Sequence, residues 1–357
     1  MKLPSPIVAL EVNDRCYGSC AHCTYEKRRY KRLLTEKQLK AIIDAVCDIG
    51  CQVISFTGRE PLHEGQWDMT VRLVRYARQR GAKTVGINTG AKALAGCIES
   101  LVGAGLYVDS LDVSVDGYGE VHDAIRGHRE WEVIEGLLDK KNRGIFKDIT
   151  CHICVSTVLQ RQNCTCLFPL LEWLRDKSCV KHMMIAAASM TGKHDRSSAL
   201  PRGAFRRFLQ ELSAWQAENQ GLETVLEIPP DSVPEICEMV KEGLITPEKV
   251  AMNDAGIAVV HVNGLPVRLM CGLYGVSVLR IRADGLAYIG YANLLQLPTC
   301  NAADEDFYGF LDDMVCKGHL YSMLEERVNQ LARGKGACPA WPFHLDRCPD
   351  ATEKREV

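Results

Sequence analysis

The sequence predicts an α/β fold, a partial (β/α)6 TIM barrel followed by a small C-terminal domain, on three observations. Short apolar segments alternate with helical patterns until about residue 190. Polar or glycine-containing turns follow these apolar segments. A second group of strand patterns follows a proline-containing, acidic stretch at 226–255. We therefore expect a barrel over 1–222 and a C-terminal domain over 223–357.

Six strands are expected in the barrel, each joined to the next by a helical segment. The strands are expected at 6–12, 52–56, 84–88, 110–115, 149–156 and 181–188. The helices are expected at 36–47, 67–80, 92–104, 166–176 and 203–218, the first of them after a capping box of Thr35 and Gln38. Parallel strands joined in this way place their carboxyl ends at one edge, where the active sites of such folds lie.

The composition indicates an ordinary globular protein of the cytoplasm. Hydrophobic residues make up 46% and charged residues 25%, and the net charge of −2 favours neither nucleic acid nor an anionic membrane as a partner. No apolar run approaches a membrane span, and the N-terminus lacks the apolar core of a signal peptide. The 17 cysteines are therefore expected to be reduced thiols, used for metal binding, catalysis or packing.

Three of these cysteines follow the first strand. Cys16, Cys20 and Cys23 form a C-x3-C-x2-C spacing in a loop that contains Gly18. Sulfur ligands this close together favour an iron–sulfur cluster, zinc or copper(I) over hard cations. A zinc site completed by His22 or a distant residue is the alternative, although zinc sites usually add a second ligand pair that does not follow closely here.

This loop resembles the cluster loop of the radical S-adenosylmethionine (SAM) superfamily. The resemblance implies that the three cysteines bind a [4Fe-4S] cluster, whose fourth iron binds SAM. It also implies that His22, at a position that is usually aromatic, contacts the adenine. Thr57–Pro61 resembles the family's Gly-Gly-Glu-Pro motif, which receives the SAM amino group. Gly58, Glu60 and Pro61 match, whereas Arg59 replaces the second glycine.

The resemblance continues through the fourth strand and extends from residue 8 to residue 130. Ser114, Asp116, His122 and Arg126 match the family's Ser-x-Asp-Gly and His-x-x-x-Arg-Gly segments. The resemblance implies that five residues contact the cofactor: Asn88, Ser114, Asp116, Arg126 and Ser156. The alternative for Ser114 and Asp116 is an ordinary strand end and turn.

Two further candidates share a strand face with Ser156. Strand alternation places His152 and Cys154 on that face, which the resemblance directs towards the barrel lumen. Cys154 is the candidate hydrogen donor if the reaction is an epimerisation, and His152 is a second catalytic candidate. Simple packing is the alternative for both.

The C-terminal region resembles the Twitch or SPASM extension of radical SAM enzymes. Cys271 is followed by a strand, an Asp284-Gly285 turn and a second strand. The resemblance implies an auxiliary iron–sulfur cluster, and its candidate ligands are Cys271, Cys300, Cys316, Cys338 and Cys348. Gly290 stands where the family usually has a second cysteine, so a hairpin domain without a cluster is the alternative.

The resemblance implies that SAM is split to a 5′-deoxyadenosyl radical, which abstracts hydrogen from a substrate. The electron would come from a reductant such as flavodoxin or ferredoxin, and epimerisation, oxidation or decarboxylation would follow. The first strand begins near residue 7, which favours a small-molecule substrate (a sugar, nucleoside or amino-acid derivative) over a peptide recognised by a preceding domain. The alternative is modification of a ribosomally made peptide. A non-catalytic iron–sulfur or zinc protein would leave the matches at Glu60, Asp116 and Arg126 without a reason.

Overall fold

The computed structural model describes residues 7–23, 29–139, 143–150, 152–188, 198–228, 232–246, 257–271, 278–289, 299–304 and 306–316. The strands are β1 (Ile7–Glu11), β2 (Val53–Thr57), β3 (Thr84–Gly90), β4 (Ser110–Ser114), β5 (Ile153–Leu159), β6 (Val180–Ala187), β7 (Glu223–Ile228), β8 (Ile245–Thr246), β9 (Ile257–Val262), β10 (Leu265–Cys271), β11 (Val278–Ile281), β12 (Leu286–Ile289) and β13 (Thr299–Asn301). The helices are α1 (Glu36–Asp48), α2 (Trp67–Gln79), α3 (Ala91–Gly103), α4 (Glu120–Arg126), α5 (Trp131–Leu137), α6 (Arg143–Ile149), α7 (Phe168–Arg175), α8 (Ala204–Glu218), α9 (Val233–Lys241) and α10 (Phe307–Leu311), the last followed by a π-helical turn, Asp312–Cys316.

The described strands form one open sheet. Its order is β13-β12-β11-β1-β2-β3-β4-β5-β6-β7-β10-β9-β8. The first seven strands are adjacent in chain order and parallel. Right-handed crossovers between parallel strands in this order place the connecting helices on one face of the sheet, which is the arrangement of a partial barrel.

The two faces of the sheet differ in chemistry. The helix-facing residues are apolar and fully buried, for example Leu10, Phe56, Ile87 and Val113. Along β5 the burial alternates strictly, with the other face only half-buried. We call this second face the lumen face. The core therefore lies between sheet and helices, and the lumen face is available for a ligand.

The predicted fold class is confirmed, with two differences in detail. The strand β5 begins at Ile153, four residues later than predicted, because helix α6 continues to Ile149. Thr150 forms only an isolated bridge with Val108. The parallel sheet also continues past β6, since β7 pairs with β6 and β10 pairs with β7.

The C-terminal segments extend the barrel sheet at both ends. The hairpin β11–β12 pairs with β1 through β11, and the hairpin β9–β10 pairs with β7 through β10. The turn between β11 and β12 contains Gly285 with φ of 97°, as the Asp-Gly pattern predicts. The first strand of the chain therefore lies inside the sheet, between β11 and β2.

Within the described ranges, no helix is both long and apolar enough to cross a membrane.

Candidate active site

The three cysteines of the cluster loop lie between β1 and α1, at the carboxyl end of β1. Cys16 and Cys23 are exposed, whereas Cys20 is buried. The loop is attached to the end of α4, because the Ser19 backbone N–H donates to the Arg126 carbonyl at 3.0 Å. Burial raises the pKa of the Cys20 thiol to about 11, against the opposing effect of the Arg126 charge. The loop therefore joins the end of β1 to the segment that follows β4.

The turn after β2 depends on glycine at its first position. Gly58 has φ of 108°, and a Cβ there would lie 2.6 Å from Cγ of Glu11. Asn13 donates to the backbone carbonyl of Glu60 at 2.9 Å, and the Pro61 carbonyl accepts from the Thr70 hydroxyl at 2.6 Å. The turn is thus packed against β1 on one side and bonded to α2 on the other.

Glu60 connects the ends of β2 and β3. Its carboxylate accepts hydrogen bonds from the Thr89 hydroxyl at 2.5 Å, the Gly90 N–H at 2.8 Å and the Leu62 N–H at 3.0 Å. Burial raises the pKa of Glu60 to about 7, although these hydrogen bonds lower it. The side chain therefore fixes the shape of the turn and its position against β3.

Asp116 performs the same role between β4 and β5. Its carboxylate accepts from the Val158 N–H at 2.8 Å and from Arg126 at 3.3 Å. Its backbone carbonyl accepts from the Asn163 amide at 2.8 Å. Burial alone would raise the pKa of Asp116, but the neighbouring His22 and Arg126 side chains hold it below its ordinary value.

The ring of His22 lies between the ends of β4 and β5. The Gln160 amide donates to its Nδ1 at 3.0 Å, which assigns the proton to Nε2, 3.7 Å from the Asp116 carboxylate. The side-chain oxygen of Gln160 is buried without a hydrogen-bond partner among the described residues. Gln160 and Asp116 therefore hold the ring of His22 at this edge of the sheet.

A second buried carboxylate, Glu130, supports the segment after β4. It lies 3.3 Å from both His122 and His128, and it accepts from the Lys92 N–H at 2.7 Å. Burial raises the pKa of Glu130, but the two histidines, the Lys92 N–H and Arg126 hold it well below its usual range. Nδ1 of His122 accepts from the backbone N–H of Asp116 at 3.0 Å, so this group positions Asp116.

The lumen face brings three predicted residues together on neighbouring strands. Ser114 and Ser156 are paired in the parallel register of β4 and β5. Asn88 of β3 is level with Asp112, two residues before Ser114, and its side-chain oxygen lies 3.5 Å from the Ser114 hydroxyl. Ser55 of β2 lies level with Gly86, one pleat below Asn88. These small polar side chains lie near the edge that carries the cluster loop, and the Asp112 carboxyl group lies beside Asn88 on the same face.

His152 and Cys154 lie deeper, towards the amino ends of the strands. Cys154 pairs with Asp112, and its thiol donates to that carboxylate. Burial and Asp112 raise the pKa of Cys154, and burial raises the pKa of Asp112. The ring of His152 packs edge to face on His182, with centroids 4.9 Å apart. Cys154 is thus two residues below Ser156 on the same face.

The proposed auxiliary ligands are only partly within the described residues. Cys338 and Cys348 lie outside them. Cys300 is half-buried on β13, the first strand in the sheet order, and burial raises the pKa of its thiol to about 11. Cys271 ends β10, near the other end of that order, and Cys316 ends the π-helical turn.

Sequence reasoning did not identify several residues that hold this site together. They are Glu11, Tyr30, Glu130, His128, Gln160 and Asn163. Gln160 and Asn163 lie four and seven residues after the end of the predicted strand 149–156, at the functional edge, which is the one signal that would have favoured them. Glu130 lies in a polar stretch without periodicity, so nothing in its pattern marks it.

The donor set fits an iron–sulfur cluster by its chemistry. Three soft sulfur ligands within eight residues match a cluster that keeps one iron open. Across the described part of the chain, no three His, Cys, Asp or Glu side chains are gathered at metal-ligand distances. The assignment therefore rests on the ligand type, the spacing and the comparisons with known proteins.

Sequence comparison identifies similarity over the first part of the chain. The pattern of the Radical SAM superfamily matches residues 10–158. An AdoMet-dependent heme synthase of Nitratidesulfovibrio vulgaris is 28% identical over 162 residues, which cover 44% of this chain and 41% of the relative. An Fe-coproporphyrin III synthase of Methanosarcina barkeri is 26% identical over 189 residues, covering 51% and 45%. The chain thus matches less than half the length of these relatives.

Structural comparison extends the similarity over most of the chain, at the level of fold. Streptococcus suis SuiB bound to S-adenosylmethionine has a TM-score of 0.62 at 15% identity, covering 89% of this chain and 68% of SuiB. SuiB bound to the precursor peptide SuiA has a TM-score of 0.64 at 16% identity, covering 90% and 67%. Native anSMEcpe with bound AdoMet has a TM-score of 0.56 at 15% identity, covering 86% and 80%.

Proposed function

We propose that the chain is a radical SAM enzyme that removes hydrogen from a small polar substrate held on the lumen face. The superfamily uses a [4Fe-4S] cluster and SAM. When bound, they supply a 5′-deoxyadenosyl radical that takes a hydrogen atom from an unactivated carbon. The protein's own task is to hold both reactants and exclude water.

We assign residues of the site to the cluster and to each part of SAM. Cys16, Cys20 and Cys23 ligate the cluster, and the backbone of Thr57–Pro61 receives the SAM amino group. His22 contacts the adenine, and its orientation is set by Asp116 and Gln160. Asn88, Ser114 and Ser156 bind the ribose or the substrate. Asp116 and Arg126 act as positioning residues, because their contacts join the cluster loop to β4 and β5.

The single observation that carries this proposal is the group of small polar side chains on the lumen face, near the sheet edge that carries the cluster loop. A lumen face that served only packing would be apolar, like the helix-facing side. Instead Ser55, Asn88, Ser114 and Ser156 offer neutral donors and acceptors. This chemistry suits a substrate rich in hydroxyl or amide groups, such as a sugar, nucleoside or amino-acid derivative.

The test is 5′-deoxyadenosine formation by the anaerobically reconstituted protein with SAM and dithionite. A variant with Cys16, Cys20 and Cys23 all changed to alanine is expected to form none. The matched control changes three other cysteines, Cys47, Cys97 and Cys179, to alanine and is expected to keep the activity. Product at the wild-type rate from the first variant would refute the cluster assignment.

A porphyrin or peptide substrate is the alternative, and two comparisons favour testing it. The curated relatives are named as heme and Fe-coproporphyrin III synthases, and SuiB was solved with a precursor peptide. Substrates of each class, Fe-coproporphyrin III among them, are incubated with the reconstituted enzyme and examined by mass spectrometry. A mass change in a porphyrin or peptide, with none in small polar compounds, would replace the small-molecule proposal.

Cys154 is the proposed hydrogen donor if the reaction is an epimerisation. A thiol passes hydrogen readily to a carbon radical, and Cys154 lies on the face of Ser156. His152 is the weaker catalytic proposal, since its ring packs on His182. Turnover in deuterium oxide would place one solvent deuterium in the product. Absence of that label, or full turnover by Cys154→Ala, would favour oxidation or decarboxylation instead.

A further inference from the structure

Five side chains meet at the carboxyl end of β1, outside the set of cofactor ligands proposed above. We call Glu11, Tyr30, Arg59, Arg282 and Asp284 the Glu11 cluster. Tyr30 follows the cluster loop, Arg59 lies in the turn after β2, and the last two belong to the turn of the β11–β12 hairpin. Segments more than 200 residues apart in sequence thus contact one carboxylate.

The two oxygens of Glu11 contact different segments. Oε2 accepts hydrogen bonds from the Tyr30 hydroxyl at 3.0 Å and from the Ala283 backbone N–H at 3.0 Å. Oε1 lies 3.5 Å from Nε of Arg59. One oxygen therefore contacts the hairpin turn, the other contacts the turn after β2, and Glu11 itself is only 2% exposed.

The ring of Tyr30 lies near two guanidinium groups. Cζ of Arg59 is 5.0 Å from the ring centroid, and Cζ of Arg282 is 4.5 Å from it. Both distances are within the range of about 6 Å over which an aromatic ring attracts a cation. Arg282 is in turn held by two hydrogen bonds to the Asp284 carboxylate. The aromatic ring thus connects the two arginines.

The backbone of the turn is also in contact with Glu11. A Cβ at Gly58 would lie 2.6 Å from Glu11 Cγ, so the glycine fits directly against that side chain. Close-packed groups of this kind transmit a displacement instead of absorbing it. A shift of the turn must therefore move Glu11 or break its pairing with Arg59.

Stability alone is a poor reason for such a cluster. Glu11 and Arg59 are buried and lose hydration, which their mutual attraction often only balances, whereas Arg282 and Asp284 stay partly exposed. Fixing one geometry is the better-attested use of buried ionic groups. Arg59 also stands where the family motif has glycine, so the side chain that reaches Glu11 and Tyr30 is a feature of this chain.

We propose that Arg59 is a positioning residue that couples SAM binding at the turn after β2 to the hairpin at 278–289. SAM bound to the turn holds Arg59 against Glu11 and Tyr30, and these side chains hold the hairpin turn through Ala283 and Arg282. The inference rests on the proposed function, because it takes this turn as the SAM site. The coupling is reciprocal, so a loosened hairpin weakens SAM binding by the same factor.

Hydrogen–deuterium exchange of peptides covering 278–289 tests the coupling on the cluster-loaded full chain, with and without SAM. In the wild type, SAM is expected to slow exchange there about fivefold, the lower range of typical coupling. Arg59→Gly is expected to lose this protection while still binding SAM, and Arg59→Lys to keep part of it. The matched control is Arg32→Gly, which removes an exposed arginine two residues from Tyr30.

The outcomes separate this inference from the proposed function. A wild type that binds no SAM, measured by equilibrium dialysis, refutes the proposed function. A wild type that binds SAM without protecting 278–289 refutes the coupling alone, as does Arg59→Gly with wild-type protection. Reciprocity supplies a second readout, since Asp284→Ala is expected to weaken SAM binding about fivefold as well. Unchanged SAM affinity in that folded variant also counts against the coupling.

Discussion

At the scale of single residues, three buried carboxylates link the end of one strand to the next segment through hydrogen bonds. Glu60 joins β2 to β3, Asp116 joins β4 to β5, and Glu11 joins β1 to the C-terminal hairpin. Each accepts at least two hydrogen bonds, because an unpaired buried carboxylate would be costly. Polar contacts therefore fix the sheet edge that carries the cluster loop. Apolar packing fixes the face of the sheet that is covered by the helices.

Asp116→Asn is expected to lower the free energy of unfolding by about 3 kcal/mol, since it leaves the buried Arg126 without its nearest carboxylate. The measurement is urea unfolding followed by circular dichroism. Asp68→Asn is the matched control. The Asp68 side chain is 53% exposed, so its ion pair with Arg72 contributes only about 0.5 kcal/mol. Equal losses in the two variants would contradict the role given to Asp116.

Glu11 is expected to make stability depend on pH. Burial raises its pKa from 4.5 to about 7, so the folded state holds the proton more tightly than the unfolded chain. This contribution is complete below pH 4.5 and is lost as the pH rises through 7. The free energy of unfolding of the wild type relative to Glu11→Gln should fall by about 3 kcal/mol between pH 4.5 and pH 8. Parallel profiles for the two proteins would exclude this shift.

At the scale of elements, periodicity predicted most strands of the barrel and failed at the start of β5 and at β7. Strands β1 to β4 and β6 were found close to their expected bounds. The strand β5 was placed too early, because the apolar residues at the end of α6 continue the β-branched pattern of the strand. The strand β7 was missed, since Glu223 and Glu227 give it the composition of a polar loop.

The site was predictable only where a motif has a fixed spacing. Cys16, Gly58 and Asp116 lie in such motifs, and their elements meet at one edge of the sheet. Gln160, His128 and Glu130 contact the same edge through tertiary packing, which leaves no local pattern in the sequence. Arg59 was visible as a departure from a motif, but its partners Glu11 and Tyr30 were not.

Alanine at Gly58 is expected to cost far more than alanine at Gly50. Both glycines have positive φ, 108° and 88°, which costs an L-residue about 1 to 2 kcal/mol. Only Gly58 adds a clash, with Glu11 Cγ at 2.6 Å, whereas a Cβ at Gly50 meets nothing within 4 Å. Urea unfolding should show an extra loss of at least about 2 kcal/mol for Gly58→Ala. Similar losses for both variants would mean that the turn is not packed on Glu11.

At the scale of the whole molecule, residues after 222 take part in the barrel sheet. The hairpin β11–β12 pairs with β1 through β11, while β7 and β10 continue the sheet beyond β6. Both ends of the parallel sheet are therefore extended by the C-terminal part of the chain. A domain boundary at 222 and 223 stays a prediction about folding units, which limited proteolysis of the full chain would test.

An auxiliary cluster would add bound iron to the C-terminal region of the chain. If Cys271, Cys300 or Cys316, Cys338 and Cys348 hold an auxiliary cluster, the variant lacking Cys16, Cys20 and Cys23 should retain about four irons per chain. Thiolate-bound clusters assemble separately wherever their ligands are complete. The wild type should then hold about eight. A variant with the five C-terminal cysteines changed to alanine is the control, and it should retain about four irons and still bind SAM. Anaerobic iron and sulfide analysis that finds no iron in the first variant would identify the C-terminal region as a clusterless extension of the barrel.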